Sequence, residues 1–295
     1  ETTGAGTHER REAKAGNSRR TAHHIKRQRK KGLSAAAKKS GRVAAEGVVA
    51  VSVEGTKGAI IELNAETDFV SRNDQFQTLA RNIAEHALRH SIEELDELKK
   101  AKMGHGKTVE EDITGAIATI GENMNLRRVA MLGVHKGIVT AYVHSAVAPG
   151  MGKIGVLIAL ESEADAGKLE ALGKQIAMHI AAQRPEALTT AEVSKEKLDR
   201  ERAVYRDQAA ASGKPAEVNK KMIEGRVRKY YEEVVRLEQV FVMDNKTKIS
   251  QVVANAEKEI GKPVKITGFI RFQLGEGIEK AASDFAAEVA AAVNA

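Results

Sequence analysis

The sequence predicts an α+β protein whose core is a duplicated β-β-α unit. Apolar residues alternate at Val49, Val51 and Val53 and again at Ile61 and Leu63, with Gly55 to Gly58 supplying the turn of a hairpin. The stretch "QFQTLARNIAEHALR" then places Phe76, Leu79, Ile83 and Ala87 at helical spacings of three and four. The same order returns about a hundred residues later. "GIVTAYVHS" (137–145) and "IGVLIALES" (154–162) make a second hairpin, and "KLEALGKQIAMHIA" makes a second helix. Aligned at an offset of 93, Leu79 matches Leu172, Ile83 matches Ile176, Ala84 matches Ala177 and His86 matches His179. Gly58 and Gly155 open corresponding strands at an offset of 97, so the strand-to-helix connection is four residues longer in the first copy. Enlarged loops on a rigid scaffold are where function concentrates.

The remaining elements follow in chain order. Residues 1–30 offer little apolar material beyond Ala13, Ala15, Ala22 and Ile25, too little for a core of their own. "GLSAAAKKSGRVAAEG" (32–47) reads as a linker with a short Ala-rich helix. Between the two units, "KTVEEDITGAIATIGE" reads as a helix and "NMNLRRVAML" alternates as a strand. After the second unit Thr190 is a candidate helix cap, "SGKP" (212–215) breaks the chain, and Val218, Met222, Tyr230 and Val234 fall on one side of the next helix. Highly charged helices joined by a short loop predict an antiparallel hairpin projecting from the body. "VKITGFIRFQLGEG" (264–277) predicts a further strand region, and "SDFAAEVAAAVNA" a C-terminal helix.

A length of 295 residues with 42% hydrophobic content supports a sizeable core. Residues 1–42 carry thirteen Lys and Arg against three Glu, so this arm is +10 and the rest of the chain about −3 within a net charge of +7. Phosphate contact with RNA or the ribosome is one reading of the arm, and a solvated tail or helical face is the other. The favoured reading is the solvated one, and ten aromatic residues in all make a base-stacking surface a poor expectation. No run approaches the roughly 20 apolar residues that cross a bilayer, and no signal-peptide core follows the N-terminus. The absence of cysteine excludes disulfides, thiolate metal sites and cysteine nucleophiles, which suits a cytoplasmic location.

Three motifs invite chemistry and do not sustain it. "GMGKIG" spaces Gly150, Gly152 and Gly155 like a dinucleotide fingerprint, but it joins two strands, where the phosphate site requires a strand leading into a helix. "AKMGHGKT" imitates a P-loop around Lys107, yet Ala101 stands where the first glycine belongs and a charged helix precedes it. His86 and His90 have the i, i+4 spacing of paired metal ligands, but no third ligand is placed by the sequence, and they read as helix-surface histidines. No nucleophile with its base and orienting group stands out, so no covalent chemistry, cofactor or metal is expected.

"ELNAETDFVSRNDQF" remains. Asp68 and Phe69 sit side by side in the enlarged loop, flanked by Thr67, Ser71, Arg72, Asn73 and Asp74. Asp68 is either a helix cap or a free carboxylate, and Phe69 either a core anchor or a contact surface. The residues alone leave both pairs of alternatives open, although the corresponding "ESEAD" (161–165) lacks the phenylalanine.

This stretch closely resembles the signature of the elongation factor Ts family. "GRVAAEG", "GENMNLRRVA", "IGVLIALES", "IAMHIAAQRPEAL", "SGKPAEVNKKMIEGRVRKYYEE" and "ITGFIRFQLGEGIEK" resemble successive family blocks in the right order. The likeness runs from about Gly32 to the C-terminus. Before it, "TGAG" and "RKKGL" are kept while Thr7, His8 and Arg10 depart from the family pattern. The resemblance implies a guanine nucleotide exchange factor for elongation factor Tu, needing neither a membrane nor direct nucleic-acid binding. It also implies a ubiquitin-associated-like helical module and linker at 1–40, a core N-subdomain at 41–131, and a core C-subdomain split into 132–188 and 239–274. A helical hairpin (coiled coil) is implied at 189–238 and a C-terminal helical module at 275–295. Thr67, Asp68, Phe69 and Val70 are implied to reach the partner's GTPase domain and disturb its Mg²⁺ and nucleotide site, with Ile154, Gly155 and His179 as further partner contacts.

Overall fold

The computed structural model describes residues 34, 36–213 and 215–279. Residues 1–33 of the basic arm and the expected C-terminal helix of residues 283–295 lie outside the described residues. Residues 36–39 are helical, as the Ala-rich linker suggests.

β1 (Glu46–Glu54) and β2 (Lys57–Ala65) pair antiparallel from Glu54 opposite Lys57 to Glu46 opposite Ala65. The turn is only Gly55 and Thr56, with Gly55 at φ 56°, and Gly58 already belongs to β2. α1 (Asp74–His90), α2 (Leu95–Lys100) and α3 (Val109–Ile120) lead to β3 (Met124–Gly133), which pairs antiparallel with β2. β4 (Gly137–Ala148), β5 (Met151–Glu161) and α4 (Ala166–Gln183) repeat the β-β-α order. Then come the charged helices α5 (Lys195–Ala211) and α6 (Ala216–Val234), α7 (Ile249–Ile260), and β6 (Lys265–Gln273), antiparallel to β5.

The repeat is larger than the sequence pattern suggests. α3 and α7 each end at a glycine in the left-handed region, Gly121 at φ 91° and Gly261 at φ 77°, and each leads into the third strand of its half. The strands join into one antiparallel sheet through a short contact. β4 runs along one edge of β5, while the other edge is shared by β1, at Met151 and Gly152, and β6, from Ile154 to Glu161.

Each half buries its own helical side. Val48, Ile61 and Leu63 pack with Phe76, Ile83 and Ile117 in the first half, and Val156, Ile158 and Leu160 pack with Leu172, Ile176 and Ile249 in the second. The four residue pairs related by the offset of 93 are all buried. A third apolar layer, including Val49, Ile60, Val139, Leu157 and Phe272, lies between the halves. The paired glycines sit in this layer. A Cβ on Gly58 would stand 2.8 Å from Val139 Cγ1, and one on Gly155 would stand 2.7 Å from Val49 Cγ1 and 3.0 Å from Ile60 Cδ1. Gly155→Ala is therefore expected to cost about 1–3 kcal/mol through overpacking, seen as a lower urea midpoint. Gly41→Ala, whose Cβ meets open space, serves as the neutral control.

The polar side of β2 is buried as well. Glu62 and Asn64 are both fully covered. Glu62 accepts from Arg127 Nη1 at 3.1 Å, Arg128 Nε at 2.5 Å, Asn64 Nδ2 at 3.0 Å and Gly275 N at 2.8 Å. Arg128 also stacks 4.1 Å over Phe272 and donates to the Gln273 carbonyl at 2.8 Å. One carboxylate thus ties β2 and β3 to the chain leaving β6.

The hairpin of α5 and α6 fully buries only Ala209 along its two helices, the rest being exposed or half-buried. Ser194 caps α5, and Thr190 lies in a separate 3-10 turn. Met222, Tyr230 and Val234 are half-buried, while Val218 is exposed. Its base closes where Glu186 N and Ala187 N both donate to the Val234 carbonyl, at 2.9 and 3.1 Å.

Candidate functional site

β2 ends at Ala65, and the enlarged connection begins with Thr67 in an extended conformation. Its N–H and hydroxyl donate to the two carboxylate oxygens of Glu122, at 3.0 and 2.7 Å. Asp68–Arg72 then makes a 3-10 turn, with the Ser71 hydroxyl donating to the Asp68 carbonyl at 2.6 Å. Asn73 caps α1 by accepting from Phe76 N at 3.1 Å. Val70 points inward, 4% exposed, into the core of the first half.

These constraints leave three side chains of the turn outside, Asp68, Phe69 and, at its end, Arg72. Phe69 is 79% exposed, well above the other exposed large hydrophobics among the described residues. Asp68 is exposed too, and its carboxylate makes no hydrogen bond or ion pair among the described residues. The helix-cap reading of Asp68 and the core-anchor reading of Phe69 are thereby excluded. Asn73 caps the helix in place of Asp68, and Val70 anchors the turn in place of Phe69. The second copy shows the contrast: Asp165 caps α4 through Gly167 N and Lys168 N, and no aromatic residue accompanies it.

The other residues singled out by the sequence lie apart from this turn. Ile154 is half-buried on the α4 side of β5, and Gly155 is buried between the halves. His179 is fully buried on α4, its Nε2 facing Gln239 Oε1 at 2.9 Å while Nδ1 accepts from Val242 N at 3.3 Å. Gln239 in turn donates to the Glu233 carbonyl at 2.6 Å, which ties the end of the hairpin to α4. Val70, Gly155 and His179 thus spend their side-chain positions inside the fold. His86, expected on a helix surface, is also buried, its ring 4.3 Å from that of His90. Among the described residues no three His, Asp or Glu side chains gather as a metal site. Only Gly150 of "GMGKIG" lies in the turn between β4 and β5, its other five residues opening β5, and "AKMGHGKT" joins two helices, α2 and α3.

Burial lowers the pKa of both inner histidines from 6.5; for His179 the Gln239 hydrogen bond opposes the shift and Arg236 adds to it, and for His86 the neighbours His90 and Arg89 add to it. The unfolded chain therefore binds these protons more readily than the folded one. Their contribution to stability is complete above pH 6.5 and lost as the pH falls toward the depressed folded values. Thermal unfolding is expected at lower temperature at pH 5.5 than at pH 7.5, with a flatter pH dependence in His179→Gln. An unchanged slope in that variant would contradict the assignment.

A family model described as "Elongation factor TS" matches residues 66–276. The chain belongs to the elongation factor Ts family. The Elongation factor Ts of Rhodospirillum centenum is 62% identical over 263 residues, covering 89% of this chain and 85% of that protein. The Elongation factor Ts of Sphingopyxis alaskensis is 54% identical over 290 residues, covering 98% and 94%. Membership of the elongation factor Ts family implies a nucleotide exchange factor for elongation factor Tu in translation elongation. No described helix is long and apolar enough to cross a membrane. Sequence reasoning missed Glu122 and Asn73 as the residues that shape the turn. Asn73 carried a signal, as a capping residue three positions before Phe76, whereas nothing local linked Glu122 to Thr67 across 55 residues.

Proposed function

We propose that the Asp68–Phe69 turn is the element that releases GDP from elongation factor Tu, by disturbing the Mg²⁺ and nucleotide site of its GTPase domain. The observation that carries this reading is the exposure of Phe69 and the unpaired Asp68 on a turn whose Thr67, Val70 and Ser71 side chains are held by the fold. Phe69 wedges between apolar side chains of the partner, and Asp68 competes electrostatically with the groups around Mg²⁺. Thr67 and Val70 serve from within, one fixing the backbone and the other anchoring the turn. Ile154 is the part-exposed member of a second contact region, with Gly155 and His179 shaping the surface beneath it.

The physics is a coupling of equilibria. A factor that binds its partner best when Mg²⁺ and GDP are loosened must weaken nucleotide binding by the same factor, and excess GTP can then occupy the emptied site. No covalent step is needed, and no cofactor of the exchange factor itself takes part. The reciprocal effect is the test. Nucleotide-free elongation factor Tu is expected to co-elute with this chain on gel filtration and to separate from it when GDP and Mg²⁺ are added in excess. A complex equally tight with and without GDP would overturn the proposal.

A further inference from the structure

We infer that Glu122 is a positioning residue for the Asp68–Phe69 turn, acting through a reciprocal clamp of two carboxylates. The loop after β2 and the loop before β3 exchange hydrogen bonds at adjacent positions. Glu122 accepts from Thr67 N and its hydroxyl, while Glu66 accepts from Asn123 N at 2.5 Å. Arg42, from the segment before β1, donates to Glu66 at 3.4 Å, and its carbonyl accepts from Asn123 Nδ2 at 2.7 Å. Lys39 donates to the Gly121 carbonyl beside them.

The chemistry of the clamp explains why a carboxylate stands at this position. Thr67 offers two donors on one side of an extended residue, and a carboxylate presents two oxygens at matching spacing; these bonds to a charged acceptor are stronger than neutral ones. With Thr67 held on one flank and Val70 buried on the other, the backbone at Asp68 and Phe69 has little freedom left. An exposed aromatic held in its binding geometry avoids the ordering cost that a mobile loop would incur on association. Glu122 is part-buried and both of its carboxylate oxygens are taken up by Thr67, so its effect passes through the turn.

The inference rests on the exchange activity proposed above, and its test separates the two. Amide hydrogen exchange of the full chain reads the clamp directly. Glu122→Ala is expected to raise exchange at Thr67 to Val70 about tenfold or more, with Glu122→Gln intermediate because one acceptor oxygen remains. Unchanged protection of these amides in Glu122→Ala would overturn the clamp, whatever the activity of the wild type. Stopped-flow GDP release from elongation factor Tu reads the consequence. Glu122→Ala should slow release in the wild-type background and add nothing in an Asp68→Ala/Phe69→Ala background, the non-additivity of residues acting as one unit. Equal loss in both backgrounds would show a general structural effect and overturn the positioning role. Thr67→Val, which removes the hydroxyl and keeps the backbone bond, guards against misfolding of the alanine variant and should shift both readouts in the same direction; no shift in either would contradict the inference.

Discussion

Glu62→Ala is expected to remove about 3 kcal/mol of folding stability, near the lower end of what breaking a buried ion pair costs. The carboxylate is fully buried, and it satisfies donors from Arg127, Arg128, Asn64 and Gly275 together. Its loss strands the Gly275 N–H and two guanidinium groups. The arginine side chains keep 27% and 28% of their exposure, so they can turn partly toward water, which argues for the lower figure. Asn64 already has an unpaired Oδ1 and gains nothing in return. Glu62→Gln should cost less, because its amide oxygen still accepts one or two of these bonds. Urea unfolding followed by circular dichroism measures both, and a Glu62→Ala midpoint within error of the wild type would show that the network contributes no net stability.

Phe69→Ala is expected to leave that unfolding midpoint in place and to slow catalysed GDP release about 30-fold or more, the loss typical of a buried aromatic anchor in an interface. A side chain 79% exposed in the free chain has little packing to lose. Asp68→Asn, which keeps the size and removes the charge, should slow release about tenfold. The two variants are expected to separate when Mg²⁺ is chelated. The Asp68→Asn deficit should shrink, since the cation it opposes is gone, while the Phe69→Ala deficit persists. A deficit in Asp68→Asn that is identical with and without Mg²⁺ would remove the aspartate from the metal's surroundings.

Much of the architecture was legible because local periodicity and burial agree. The helical spacing through Phe76, Leu79 and Ile83 and the matched residues near Ile176 follow the two cores directly. α7 was equally legible in principle, with Ile249, Val252, Val253, Ala256 and Ile260 at helical spacing. Other features depend on partners distant in sequence. The alternation of Ile61 and Leu63 with Glu62 and Asn64 suggests a strand with one wet face, yet Arg127 and Arg128 make burial of that face possible. His86 looks like a surface histidine until the fold covers it, and the burial of His179 depends on Gln239 and Val242 in the segment after the hairpin. At the candidate site, the sequence placed Asp68 and Phe69 in an enlarged loop but could not say which residues of "TDFV" faced outward. That depends on Glu122 capturing Thr67 and on the space available to Val70, both products of tertiary packing.

The most direct test sets the wild-type chain beside the Asp68→Ala/Phe69→Ala double variant and measures release of a fluorescent GDP analogue from elongation factor Tu by stopped flow, with rising chain concentration. The wild type is expected to accelerate release to a plateau far above the spontaneous rate, and the double variant, equally folded, to give only a small fraction of that acceleration. Equal plateaus for the two proteins would contradict the assignment of exchange to this turn.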